Sequence, residues 1–461
     1  MLNNELWNEA QTIAISFNPY KNNKNNRMKS TKHSKRNYYI VALIMLTFFV
    51  ISFLTNIIGP LVPDIIKGFK LNLTLVAVLP FAFFIAYGIV SIPAGILVEK
   101  YKEKKIMVVA FGISFIGAFM LALFPNYLTA VVSLFLIGCG MAMLQVVINP
   151  LLRISGGEEH YAFNSVLAQL IFGLASFISP LVYSYLVLDL KAPGVGNPVL
   201  TLLSSLVPAA LPWISLYWLF AVVSLAMIIV ILVSRFPKVI LSDDEKAPAL
   251  QVHLDLLKKP VVILFFIGIF CYVGTEQGVA NWISQFIYVY HHYNPQITGA
   301  QTVAYFWGFM TAGGLLGLAL LKIMDSRKVL IGFTVLAIIS LSVGLFAKGG
   351  IVLIAFPLVG FFASVMYPVI FSLALNSLEE HHGAFSGILL TGVIGGAIIP
   401  LIIGWIGDHL GLRFGMLFLY LTLGYILSVG FWARPIILNK TIQQAHKQSK
   451  NEPVEEQKNA E

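Results

Sequence analysis

Apolar residues fall along this chain in long unbroken runs separated by short polar breaks. Twelve runs can be counted, at about 38–60, 73–98, 106–124, 127–151, 163–189, 211–234, 260–289, 300–321, 329–347, 350–376, 384–407 and 414–434. Each is near or above the roughly 20 residues that a helix needs to cross the hydrocarbon core of a bilayer. None shows the apolar–polar alternation of a transmembrane β-barrel strand. The pattern predicts an all-α membrane protein with twelve transmembrane helices in the lipid bilayer. Residues 235–259 form the longest polar interruption and divide the runs six and six, which predicts two six-helix halves, 38–234 and 260–434, joined by a cytoplasmic loop. Residues 1–37 are rich in Asn and Lys and read as a disordered tail without the apolar stretch of a secretory signal. Met28 competes with Met1 as the start, and residues 435–461 read as a second polar tail.

Composition agrees with this class. The 461 residues are 58% hydrophobic and 11% charged, with a mean hydropathy of +0.84, where a soluble domain carries about 25% charged residues. A net charge of +9 raises the question of nucleic acid, and its distribution answers it. With both termini on one side, 25 of the 30 Lys and Arg fall on that side and 5 on the other. The positive-inside rule then places both termini in the cytoplasm and the chain in the cell (inner) membrane, so the basic excess reports topology and no nucleic-acid partner is expected. Cys139 and Cys271 both lie in apolar runs and offer neither a disulfide framework nor a metal-ligand spacing. The pairs His291-His292 and His381-His382 read as solvated loop residues. No Walker lysine, phosphate-binding loop or nucleophile–base pair is present, so ATP-driven transport and enzyme chemistry are not expected, and no cofactor or metal is implied.

Polar positions inside the runs are few. Glu276 is the one formally charged residue placed well inside an apolar run; the rest fall in tails, loops or run ends. A carboxylate at mid-bilayer costs roughly 2.5–3.5 kcal/mol even on a mild insertion scale, so it is seldom kept without a partner or a use. Gln277, Asn281, Ser284 with Gln285, and Tyr288 recur at helical spacing and line one stripe of the seventh run. Glu276 lies about 100° around the helix from Gln277, and Tyr272, one turn earlier, shares its face. The stripe is expected to face a central cavity or a neighbouring helix, and its amides and hydroxyls suit a sugar because they donate and accept towards several hydroxyls at once. Glu276 has several open roles: a proton carrier, a sodium ligand, a direct sugar contact, or a hydrogen-bonded residue that fixes the helix.

Gln145 and Asn149 lie one turn apart on the fourth run, Gln169 on the fifth and Asn56 on the first. Each offers an amide to a sugar; the alternative is helix–helix hydrogen bonding, worth about 0.6 kcal/mol each in membranes. For Asn149 a local role is favoured, because Pro150 frees a backbone carbonyl nearby. Trp282, Tyr305, Trp307 and Tyr367 can stack on the apolar face of a pyranose, and Tyr367 precedes the helix-breaking Pro368.

The chain repeats itself weakly. Gly95-Ile-Leu-Val-Glu99-Lys100-Tyr-Lys102-Glu-Lys104-Lys105 follows the second run, and Gly317-Leu-Ala-Leu-Leu-Lys322-Ile-Met-Asp325-Ser-Arg327-Lys328 follows the eighth, second in the other half. Parallel six-helix halves resemble the major facilitator fold, in which substrate binds between halves near the midplane. The turn 95–105 is similar to that superfamily's loop signature, which implies that Gly95, Glu99 and Lys100 steady one conformation through helix ends. Asn149-Pro150, Gly156, Glu158 and Leu167-Ala168-Gln169 resemble the fucose:proton symporter family. So do Ile92-Pro93-Ala94-Gly95, Arg235-Phe236-Pro237, Phe270-Cys271-Tyr272-Val273-Gly274, Tyr367-Pro368 with Ile370-Phe371-Ser372-Leu373, and Ile394-Gly395-Gly396 with Pro400. The resemblance covers nearly all of 38–434 and implies a sugar carrier with alternating access. It also exposes two departures. Fucose symporters of this family use an Asp late in the first span and a Glu in the fourth, and those positions are Gly59 and Gln145 here. Neither residue exchanges a proton. Related sugar carriers of the family show a Glu at the position of Glu276.

These readings together predict a secondary active transporter that imports a monosaccharide or amino sugar with a proton or sodium ion, as a monomer. Substrate contacts are expected from Asn56, Gln145, Asn149, Gln169, Gln277, Asn281 and Tyr367, and cation coupling at Glu276. Two readings compete: a facilitator or exporter of another small polar solute, and a non-transporting nutrient sensor. A sensor would be expected to carry a long signalling extension, and neither tail is large enough to fold alone.

Overall fold

The computed structural model describes residues 37–157, 161–191, 197–236, 250–378, 380 and 382–436. The expected tails, and Glu158 and His381, lie outside the described residues, as does much of the loop 235–259. Twelve helical spans among the described residues are long and apolar enough to cross a membrane. In order they are Tyr38–Phe69, Leu73–Val98, Glu103–Leu123, Tyr127–Gly156, Phe163–Leu190, Pro212–Val233, Pro260–His291, Pro295–Ile323, Ser326–Phe346, Gly349–Leu375, Ala384–Leu410 and Leu412–Trp432. Strands are absent among the described residues. The even count puts Asn37 and Arg434 on one face of the bundle, called here the terminal face; the other is the far face.

The first span is longer than its apolar run predicts. It is two helices, Tyr38–Thr55 and Ile58–Phe69, joined at Asn56-Ile57. Pro60 lacks the N–H that would reach the Asn56 carbonyl, so the helix breaks there and restarts with the proline in its first turn. The continuation carries Asp64 into the bundle, where the sequence placed it beyond the end of the run. The interdomain loop also holds an unexpected helix, Leu250–Leu257, which packs against the starts of the seventh and eleventh spans through the buried Leu256.

Within each set of six, packing follows one scheme. The fourth span lies against the second and third, and the third against the sixth; correspondingly, the tenth lies against the eighth and ninth, and the ninth against the twelfth. The basic loops repeat the scheme at finer scale. Lys104 donates to the carbonyls of Leu232 (2.7 Å) and Ser234 (2.9 Å) at the end of the sixth span. Arg327 donates to the Ala433 carbonyl (3.4 Å) at the end of the twelfth. A cation on the last carbonyls of a helix meets both their unpaired lone pairs and the negative end of the dipole.

Three seams join the first six spans to the last six: second against eleventh, fifth against eighth, and first against seventh. Their closest points lie from the far face to mid-bundle: Leu73 at Gly404, Phe84 at Gly396, Gly88 at Ile394, Phe177 at Gly308, Gly173 at Thr311 and Gly59 at Ala280. The far-face half of the molecule is therefore the one in which the two sets are pressed together.

Candidate transport site

The seventh span is one uninterrupted helix, Pro260–His291, so residues four apart stack on one face. Glu276 is half-buried near its middle. Gln277 Nε2 donates to Glu276 Oε1 at 3.1 Å, and the Tyr272 phenol, one turn earlier, lies close enough to the same carboxyl group to interact with it. Tyr367 comes from the tenth span, where the helix restarts at Met366 and holds Pro368 in its first turn. Its ring centroid lies 5.7 Å from that of Tyr272 and 5.7 Å from that of Phe371. Glu276, Gln277, Tyr272 and Tyr367 thus form one cluster. Its polar groups at the carboxyl group are neutral, so among the described residues Glu276 is held without an ion pair.

The amide stripe is buried, apart from Tyr288 at the far-face end of the helix, which is 48% exposed. It faces neighbouring helices. Gln277 packs where Gly396 of the eleventh span and Phe84 of the second meet, and Asn281 lies beside Gly59 of the first. Asn281 Nδ2 and Gln285 Oε1 have no hydrogen-bond partner among the described residues, and neither has Trp307 Nε1 in the eighth span. A buried polar atom left unpaired costs about 1–3 kcal/mol. A solute rich in hydroxyls would recover that cost at these points.

The remaining expected contacts are placed differently. Asn56 is buried, and its amide donates to Ser176 Oγ at 2.8 Å, while Ser52 shares Ser176 (2.6 Å). This is a brace between the first and fifth spans. Asn149 is exposed and donates to the Gln145 carbonyl at 3.3 Å, one residue before the Val146 carbonyl that Pro150 frees. Gln145 is half-buried. Gln169 is exposed, one turn nearer the terminal face than Gly173, which touches Thr311 across the seam. Trp282 is fully buried with its Nε1 on the Pro400 carbonyl (3.3 Å), and Tyr305 is 48% exposed beside Phe309 and Leu353. His291 is not a solvated loop residue: it ends the seventh-span helix, half-buried between the Phe286 and Tyr293 rings. At the terminal face Gly95 has open space around it and Lys100 lies over the Tyr101 ring at 5.3 Å. The Glu99 side chain lies outside the described residues.

Sequence reading missed a second polar group, at the far face. Asp64 Oδ2 accepts from the Tyr183 hydroxyl at 2.8 Å, and Gln296 Nε2 donates to both Asp64 oxygens at 2.9 and 3.0 Å. Asp408 Oδ1 accepts from Leu73 N (2.8 Å), and its Oδ2 accepts from Thr74 N (2.8 Å) and the Thr74 hydroxyl. The available signal was Pro63-Asp64 followed by two isoleucines, an acid with apolar chain resuming beyond it.

A twelve-span bundle with two similarly packed sets of six, a buried amide stripe at their seam and a membrane carboxyl group that has no ion pair among the described residues defines a solute carrier. The chain belongs to the Major Facilitator Superfamily, whose family model matches residues 44–400. It is 32% identical over 416 residues to a glucose/galactose transporter of Brucella abortus, covering 88% of this chain and 97% of that one. It is 27% identical over 394 residues to the L-fucose-proton symporter of Escherichia coli, covering 82% and 89%. The crystal structure of the fucose:proton symporter of Escherichia coli superposes with a TM-score of 0.61 at 24% identity, over 87% of this chain and 100% of that chain.

Proposed function

We propose that this chain is a secondary transporter that imports a monosaccharide across the cell membrane, by rocking residues 38–234 against 260–434. The observation that carries the proposal is the likeness, over 88% of its length, to a relative named for glucose and galactose transport. The buried amides of Gln277 and Asn281, with Gln145 and Gln169 from the other set of helices, supply hydroxyl-binding groups on both sides of the seam. Tyr367 offers a ring beside them, and Asn149 is kept as a weaker contact because its amide is engaged locally. Asn56 is assigned to bracing, since its amide is taken by Ser176. The basic asymmetry of the loops assigns the terminal face to the cytoplasm.

Glu276 is the coupling group in this reading. A relative at 27% identity is named a proton symporter, and Glu276 is the carboxyl group of the buried site that neutral partners leave free to exchange a cation, proton or sodium. Gly95, Glu99 and Lys100 belong to the loop that steadies the terminal face. The chain acts as a monomer, with no cofactor.

The test is uptake of labelled glucose, galactose, fucose and N-acetylhexosamines into proteoliposomes, with proton and sodium gradients imposed separately. Saturable accumulation driven by one gradient supports symport. Equilibration without accumulation makes the protein a facilitator, the second reading that Gly59 and Gln145 favour by lacking carboxyl groups. No movement of any sugar overturns the substrate assignment.

A further inference from the structure

We propose that Asp64 and Asp408 are the gating residues of the transport cycle: two carboxylates, one from each set of six spans, that latch the far face shut by accepting hydrogen bonds across the seam. The inference rests on the alternating-access reading.

Asp408 stands at the end of the eleventh span, and its partners are the first N–H groups of the second-span helix, Leu73 N and Thr74 N. Those groups have no acceptor inside their own helix and form the positive end of its dipole. Asn72 caps only the Leu75 N–H, at 2.8 Å. The cap of the second span is therefore shared between a residue of its own and one about 335 positions away, a separation of the kind only a closed seam permits. Gly404 permits the approach: a Cβ there would lie 2.7 Å from the Leu73 carbonyl oxygen.

Asp64 forms the second latch at another point of the same face. Tyr183, of its own set, donates to one oxygen, and Gln296, of the other set, donates to both. Gln296 is itself held in place, because the Asn294 side chain accepts from the Gln296 and Ile297 N–H groups at 2.8 and 3.1 Å. Both carboxylates act only as acceptors towards neutral donors, the arrangement of charge-assisted hydrogen bonds. Parting the second span from the eleventh, or the first from the turn before the eighth, breaks them. A far face that opens to admit solute must do both.

The test reads opening without any sugar. Ala77 is buried one turn below the Asp408 latch, where a Cβ added at Gly404 would lie 3.1 Å from the Ala77 Cβ. Ala77→Cys is placed in a Cys139→Ala, Cys271→Ala background in lipid nanodiscs and treated with a bulky polar maleimide. Asp64→Asn and Asp408→Asn should each raise the labelling rate on the order of tenfold, and the double variant more, as loss of charge-assisted bonds biases the open state. Asp255→Asn, a neutralisation at an exposed pair with Lys258, should leave it unchanged. Unchanged labelling in the double variant overturns the proposal. Each Asp variant is also made with native Cys139 as its only cysteine; if that buried thiol reacts, the fold is lost. Gln296→Leu, and Thr74→Pro, which removes both the N–H and the hydroxyl that Asp408 accepts from at a first-turn position where proline is tolerated, then replace it and are held to the same outcome. Labelling that rises in a protein that moves no sugar keeps the latches and removes the substrate assignment.

Discussion

Gly59 in the first span lies against Ala280 in the seventh so closely that a Cβ there would sit 2.2 Å from the Ala280 carbonyl oxygen. The two belong to different sets of six spans, so this contact exists only while the seam is closed. Gly59 is also the position that the family resemblance sets against the first-span carboxylate of fucose symporters. In this conformation no side chain of any kind fits there. Gly59→Ala should therefore oppose far-face closure by about 1–3 kcal/mol, the usual cost of overpacking, and slow uptake by about tenfold or more. Gly59→Asp should not create proton coupling but behave as a more severe version of the same block. Uptake rates beside the Ala77→Cys labelling rate check both: slowed uptake with faster labelling is expected, and unaltered labelling would falsify the contact's role.

Glu276→Gln keeps an amide oxygen for Gln277 and a partner for Tyr272 while removing the exchangeable charge. If Glu276 couples transport, the variant loses uphill accumulation yet still exchanges labelled for unlabelled sugar across the membrane. Accumulation and counterflow measured on the same vesicles separate the cases. Retained accumulation would return Glu276 to a fixing role in the seventh helix.

Asn56→Ala should leave the KM for sugar unchanged and lower stability by roughly 0.6–1.5 kcal/mol, the worth of a hydrogen bond within a membrane or a protein interior. Ser176→Ala should lower it similarly, and the double variant by less than the sum, since the two share one bond. A KM raised several-fold with stability intact would instead place Asn56 on the sugar.

Lys104→Ala and Arg327→Ala should destabilise by comparable amounts, about 0.3–1 kcal/mol each, by uncovering the carbonyl ends of the sixth and twelfth helices. Thermal unfolding of the purified protein checks this, and Lys104→Arg should recover the loss.

The span count was legible in the sequence, because membrane crossing is written locally, in runs of about 20 residues. The stripe Gln277–Asn281 was legible for the same reason: helical spacing is local. Its neighbours were not. Phe84, Gly396 and Gly59 come from three other spans, and a glycine's use as a contact surface leaves no periodic mark. Asp64 lies beyond the first apolar run because Pro60 and Pro63 interrupt the pattern, whereas the chain only breaks its helix there and continues to the far face. Asn56 shows the opposite limit, since an amide at a plausible depth cannot declare from sequence whether Ser176 already holds it.

The short helix Leu250–Leu257 lies in the connector by numbering but rests on the seventh and eleventh spans. Its loyalty is to the second set. A polypeptide cut just before Leu250 would accordingly leave this helix with the spans it touches, whereas a cut at residue 259 would strip the second piece of it. Co-expressed fragments divided at the first site are the natural material for spin labels or fluorophores placed on one moving body at a time.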